Sequence, residues 1–386
     1  MNSQKNVRAR IFWLCIFAGV IVRFVLMRLG QNFDFESYCI VGRLASEGRN
    51  VYAETTRYNY GPVWFTLLGM FWRLSSFFLH NIAVFRVMIV GMLTLADFLI
   101  ARTISHKAGN FWGLVFFLNP VSLIITGYHN QFDNIAVLAG IYAVLFLEKT
   151  SCEHDIKFGD ICGIILLSLS LVIKHILWAF PLWILLSRKI DTRKKVFYAF
   201  IPPVIFLMSF APYWSGGYSG IVRNVFLYKS FNNYPFFGLT MLNHFGLYLP
   251  LQQYICLPIF GLLMLGCAYL FRCENIADSF MLYTMALVAF SSAIANQYLA
   301  IPCMAVVLIM RRKSVAYFLL GLVFLSCNSN GLHIPLWLEK HCGIDCGFIG
   351  RLSGSGAMYS LFAWCLAVYL ACYWRKNHRK LPYLRP

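Results

Sequence analysis

The sequence predicts an all-α polytopic membrane protein of about twelve transmembrane helices. Three observations carry this. The chain is 60% hydrophobic and only 12% charged, against about 25% charged residues in ordinary soluble proteins. Long apolar runs recur from residue 11 to residue 374. That is the mark of spanning helices, not of the short alternating segments of a β-barrel. The basic residues behind a net charge of +18 sit in short clusters between those runs, the pattern that cytoplasmic retention of Lys and Arg produces. The charge is therefore read as topology, and no nucleic-acid partner is expected. No polar stretch is long enough for a separate soluble domain.

In chain order, spans are expected near 11–29, 84–104, 109–126, 133–147, 160–173, 176–187, 196–213, 250–271, 277–295, 297–310, 314–327 and 356–374. The first apolar segment lacks a small-residue cleavage site and reads as a retained signal anchor. KNVRAR precedes it, which puts the N-terminus inside. The loops RTISHK, SRKIDTRKK and RRK and the tail RKNHRK then also lie inside, so both termini are cytoplasmic. The inner loop EKTSCEHDIKFGD is the weak member, being mixed in charge. Residues 30–83, 127–132, 174–175, 214–249 and 328–355 lie outside.

One apolar run, GPVWFTLLGMFWRLSSFFLH at 61–80, has to be left out of this count. If it spanned, the later basic clusters would face out. Its Thr66, Gly69, Arg73, Ser76 and His80 recur at spacings of three and four, one polar or small stripe on a helix. Such a helix is expected to lie in the interface with its apolar face in lipid. The 13 Cys are scattered, mostly within spans, where a thiol behaves as a small apolar group. Cys342 and Cys346 share an outer loop and can form a disulfide in an oxidising compartment.

The chemistry-bearing residues collect on the outer side. They include Asp34 and Glu36, the stretch TTRYNYGP (55–62), GYHNQFDN (127–134), Lys174 with His175, Arg223, Lys229, SFNNYPFF (230–237), Asn243 with His244, and Asn296 with Gln297. The bland reading of each is a scattered interfacial polar residue. Pro120 can bend the third span, which ends in His129, Gln131 and Asp133. Asp133 can serve as the N-terminal cap of the fourth span. Lys174 either snorkels or contacts a phosphate. Within the membrane, Arg23 and Asp97 call for partners, and each is a partner for the other. No P-loop, strand-borne GxGxxG, HExxH or CxxC pair is present. No cofactor and no metal are expected.

The outer loop DFESYCIVGRLASEGRNVYAETTRYNYGPVWFTLL, then DFLIA, LNP…GYHNQFD and IKH in order, resembles the GT-C glycosyltransferases. These are multi-span enzymes that use polyprenyl-phosphate-linked sugars. The likeness covers roughly residues 8–190. It is nearest to the dolichyl-phosphate-sugar glucosyltransferases and the glycolipid mannosyltransferases, including bacterial relatives of the second mannosyltransferase of the GPI pathway. YGP stands where the family commonly has an aromatic-Pro-Pro wording, and the C-terminal half carries no recognisable signature. The resemblance implies a GT-C-like bundle with interfacial helices in the first outer loop. It implies a catalytic module at 1–213 and a variable membrane module at 214–386. It also implies that a hexose, mannose or glucose, passes from a polyprenyl-phosphate donor to a lipid- or glycan-linked acceptor by inverting displacement. Asp34 then matches the family's catalytic base, with Glu36 as competitor. Lys174, His175, Arg223 and His129 are candidate partners of the leaving phosphate. Tyr60, Gln131 and Asp133 complete the substrate-binding set.

Two other classes compete. A transporter or flippase would fit twelve spans with a basic interior, but the halves show no internal repeat. A polysaccharide polymerase or ligase would favour several Arg in a large outer loop, and 214–249 offers only Arg223 and Lys229. The outer loops lack an Asn-x-Ser/Thr sequon, which points to a bacterial inner membrane over an endoplasmic reticulum membrane.

Overall fold

The computed structural model describes residues 2–228, 252–291, 295–327, 332–346 and 356–378. Among them every regular element is helical. The long helices contain the apolar runs and extend beyond them, α1 by a polar N-terminal stretch. α1 (Asn2–Leu29) and α5 (Asn81–Ala108) have 28 residues each, or about 42 Å at 1.5 Å per residue. Three segments are long and apolar enough to cross a membrane: Ala9–Leu29, Asn81–Ala108 and Thr192–Phe226. There are up to five if each of two bent pairs counts as one span. The ends of the spans expected at 250–271 and 277–295 fall partly outside the described residues.

The first bent pair is α6 (Asn110–Leu118) with α7 (Pro120–Ile124) and its continuation to His129, turned by 46°. Pro120 cannot donate to the helical ladder, and Asn119 caps the new start by accepting from Ser122 N at 2.9 Å. The second pair is α9 (Phe158–Ile173) and the segment His175–Leu186, bent by 110° at Lys174. The second arm ends in α10 (Phe180–Leu186).

The segment 30–80 between the first two long helices is folded, not extended. It holds α2 (Phe33–Ser46), α3 (Val51–Glu54) and α4 (Pro62–Ser75). At 14 residues α4 is about 21 Å long, short of a hydrocarbon core of roughly 30 Å. Its omission from the span count therefore has a physical basis. Its expected orientation needs correcting. Trp64, Phe65, Leu68 and Phe71 are buried in the protein and not turned to lipid. Gly69 of the small stripe meets Ala45 of α2, and Arg73 donates to Ser46 O at 2.8 Å. The apolar surface left exposed is Met70 within the helix and Leu74, Phe77, Phe78 and Leu79 at and beyond its end.

α8 (Asp133–Thr150) and α9 run antiparallel, and polar contacts at both ends fix their register. At one end Lys174 reaches Asp133. At the other, Asp160 takes bonds from Thr150, from Tyr198 and from Lys194 Nζ at 2.8 Å. Tyr198 and Lys194 belong to α11 (Thr192–Met208). The mixed-charge loop is thus explained, since its Asp160 is fully buried against Lys194. α8 is 18 residues long, so the two polar ends stand about 27 Å apart, close to a bilayer's apolar thickness. Arg23 and Asp97 pair at 3.1 Å between α1 and α5, as expected, with Ser122, Thr126 and Asn134 completing the shell.

The chain is helical past residue 213, in α12 (Trp214–Ile221) and a π-turn Val222–Phe226, where a loop was expected. α12 docks on α3 so closely that a Cβ on Gly220 would sit 1.8 Å from Tyr52 O. One buried core holds side chains from both sides of residue 213, Phe210 and Ile221 among them. Tyr283 of α14 (Ile276–Phe290) donates to Ile176 O at 2.8 Å, closing the 110° elbow; the helix before it, α13, is Gln252–Leu270. Cys342 and Cys346 are both free, so no disulfide joins them.

Candidate functional site

Polar groups from α2, from the turn after α7 and from the start of α8 converge around Asp34. Asn32 is the N-cap of α2, and its Oδ1 accepts from Phe35 N. That choice turns its Nδ2 toward Asp34 Oδ2 at 3.3 Å and His129 Nδ1 at 3.2 Å. Gln131 Nε2 donates a second bond to Asp34 Oδ2, and the Gln131 Oε1 accepts from Tyr38 at 3.5 Å. Tyr38 lies one helical turn beyond Asp34, on the same face of α2.

Gln131 is delivered by an unusual piece of backbone. The π-turn Ile125–His129 ends at Asn130 with φ +58°, a conformation Asn tolerates better than most residues. Its amide then donates to Thr126 O and Gly127 O. Opposite, Gly61 lets the loop before α4 lie against α9, because a Cβ there would be 2.0 Å from Val172 O. The close approach sets Tyr60 beside Lys174, whose Nζ is 5.0 Å from the Tyr60 ring and 4.7 Å from Phe132.

Three carboxylates share this end, in three different states. Asp133 is not the cap of α8, since the cap position is Phe132 and no side chain caps it. Asp133 sits in the first turn and binds Lys174 Nζ at 2.6 Å. Both side chains are buried, at 1% and 5%. Lys174 therefore neither snorkels nor stands free for a phosphate. Glu36 is exposed and lies 3.7 Å from Arg57. Asp34 is half-buried and held by neutral amides alone. Burial pushes its carboxyl above the usual range, against the opposing pull of the Lys174 charge and the Gln131 hydrogen bond.

Several polar atoms here are buried without a partner, namely His129 Nε2, Asp133 Oδ1 and His175 Nδ1. His175 lies tilted against Tyr60 with ring centres 6.4 Å apart. Arg223 is exposed, and its described contact is the Asn224 side chain at 3.3 Å. It is not drawn into the carboxylate cluster. Asn224 in turn reaches Thr55 O, two residues from Arg57. Asn296 is buried at the start of a short 3₁₀ turn. Lys229, residues 230–237, Asn243 and His244 lie outside the described residues.

Asn32, Tyr38 and Arg57 were not singled out from the sequence. Asn32 carried a readable signal, an Asn ahead of a helix with acidic residues in its first turn. Arg57 donates to Ser37 Oγ at 2.9 Å and Phe33 O at 3.1 Å, and so ties the TTRYNYGP stretch to α2. Among the described residues no three His, Cys, Asp or Glu side chains gather as a metal-binding set. No protein-family model matches the sequence, and neither a curated protein nor a solved structure matches it.

Proposed function

We propose that this chain is an integral-membrane hexosyltransferase of the GT-C type, a bundle of about twelve spans working on the extracytoplasmic face of a bacterial inner membrane. The donor is a polyprenyl-phosphate-linked mannose or glucose, and the acceptor is a lipid- or glycan-linked hydroxyl. In the reaction the acceptor oxygen bonds to the anomeric carbon. The bond from that carbon to the phosphate oxygen breaks, and polyprenyl phosphate leaves with the bonding pair. Asp34 takes the hydroxyl proton.

The observation that carries this reading is the difference between the three carboxylates. A general base needs an available lone pair and a proton affinity raised toward working pH. Asp133 is consumed by Lys174 and Glu36 is solvated beside Arg57. Asp34 alone of the three is partly desolvated, free of an ion-pair partner and oriented by Asn32 and Gln131. The leaving phosphate needs donors. His129 Nε2 and His175 Nδ1 are unpartnered, and Asn224, the neighbour of Arg223, reaches Thr55 O.

The test uses purified protein in lipid with polyprenyl-phosphate mannose and glucose and a panel of glycolipid acceptors. Release of polyprenyl phosphate by the wild type, reduced about 10²- to 10⁴-fold in Asp34→Asn, is the expected outcome. Equal release by both proteins would remove Asp34 from the role. Failure to bind any such donor would overturn the transferase reading.

A further inference from the structure

A second polar concavity lies outside the Asp34 cluster. Between the outer end of α1 and the start of α5 is an open groove of about 440 Å³. Met27 and Phe35 form its buried floor, while Leu79 and Ile82 stand exposed at its rim. Arg28 and Arg86 both face it.

Arg86 is the unusual member. It is half-buried, and its guanidinium donates to Asn130 Oδ1 at 2.8 Å, Gly30 O at 2.5 Å and Tyr128 O at 3.1 Å. It also lies 4.9 Å over the Phe35 ring. Every one of these partners is neutral. Among the described residues, no carboxylate lies within ion-pair distance of Arg86 or Arg28. The bonds fix the guanidinium in place and leave its charge uncompensated, a state that favours an anion. Asn81 and Ala83, in the first turn of α5, line the same groove, and a helix N-terminus adds positive potential there.

The rim has a different character. Leu79 and Ile82 are exposed at 101% and 52% beside Arg28 and Arg86, and Phe77 and Phe78, which precede Leu79 in the chain, are exposed as well. A free inorganic anion gains nothing from such a rim, whereas an amphiphile fits both parts. We propose that this groove binds the phosphate head of a membrane amphiphile between Arg28 and Arg86, with its alkyl chain along Leu79 and Ile82. The site does not depend on glycosyl transfer, because its recognition involves phosphate and chain and no sugar.

Labelling of the full chain in phosphatidylcholine nanodiscs tests this. The probe is a photoactivatable phosphatidic acid, and the labelled peptides are mapped by mass spectrometry. Label is expected in 27–31 and 79–86, lowered at least fivefold by Arg28→Glu and by Leu79→Glu. Both residues are exposed, so these variants keep the fold where Arg86→Gln can lose it. Unlabelled phosphatidic acid and polyprenyl phosphate should compete. The stronger competitor tells whether the natural source is a bilayer lipid or a lipid-phosphate substrate, and either upholds the site. Competition by inorganic phosphate at equal concentration would overturn the membrane origin. Equal labelling by a photoactivatable diacylglycerol, unchanged in Arg28→Glu, would overturn the proposal altogether. Because the readout is occupancy, inactivity toward every sugar donor would leave this result intact.

Discussion

Removing one half of the Asp133–Lys174 pair tests why Asp34 is left free. The two charges are 2.6 Å apart and almost wholly buried. Their gross attraction is about 6 kcal/mol at an effective dielectric constant of about 20. Most of that offsets the cost of taking both ions out of water. Lys174→Met removes the cation and leaves Asp133 buried with neither oxygen paired, because Oδ1 already has no partner. Loss of one member of such a pair costs about 3–5 kcal/mol, which is roughly a 10²- to 10⁴-fold shift in the folding equilibrium. Asp133→Asn should cost a similar amount, since it strands the ammonium. The double variant Asp133→Asn/Lys174→Met removes both charges and should recover most of the loss.

The buried thiols of Cys267 and Cys303 provide the assay. Their reaction with a thiol-reactive fluorophore, followed against temperature in detergent, reports opening of the core. The two single variants should open well below the wild type and the double variant near it. A second readout follows from charge. The Lys174 ammonium pulls the Asp34 carboxyl down, against the burial that raises it. In Lys174→Met the acid limb of the pH–rate profile should therefore move to higher pH. Additive losses in the double variant would refute the pairing. An unmoved acid limb would refute the link to Asp34.

Other outcomes can be checked on the same protein. Asp34→Asn should hold or raise the unfolding temperature at pH 7 while lowering polyprenyl phosphate release about 10²- to 10⁴-fold. A carboxyl raised by burial contributes stability below its unfolded pKa and loses it as pH rises through the folded value, so the Asn variant should also flatten that pH dependence. Glu36→Gln, at an exposed pair, should leave release within a few-fold of wild type. Gly61→Ala places a Cβ 2.0 Å from Val172 O and should lower both stability and turnover by displacing Tyr60, seen as an earlier thiol-reaction midpoint. A membrane-impermeant maleimide added to intact spheroplasts should label exposed Cys342 and spare exposed Cys152; the reverse pattern would invert the topology.

Much of the frame is legible in the sequence, because bilayer physics acts on composition. The Pro120 bend and the need of Arg23 and Asp97 for partners follow from single-segment reasoning, and the structure shows both; the stripe in 61–80 did not reveal that the apolar face of α4 is buried in protein. The gathering of His129, Gln131, Asp133 and Lys174 at one end was also expected, because the span count assigned them all to one side, and their contacts bring them together. What the chain does not reveal locally is which charge neutralises which. Lys174 looked free, and only the antiparallel docking of α8 on α9 brings Asp133 to it. Asp160 read as one more loop acid until α11 brought Lys194 beside it. The two pairs are related. Each sits at an end of the α8–α9 hairpin, and each neutralises a buried acid beside a helix terminus. The Lys174 pair takes up Asp133 and, among the described residues at that end, leaves Asp34 without a cationic partner. The environment of Asp34 is thus set by the hairpin as much as by its own loop, since Gln131 and Lys174 reach it from outside 31–38.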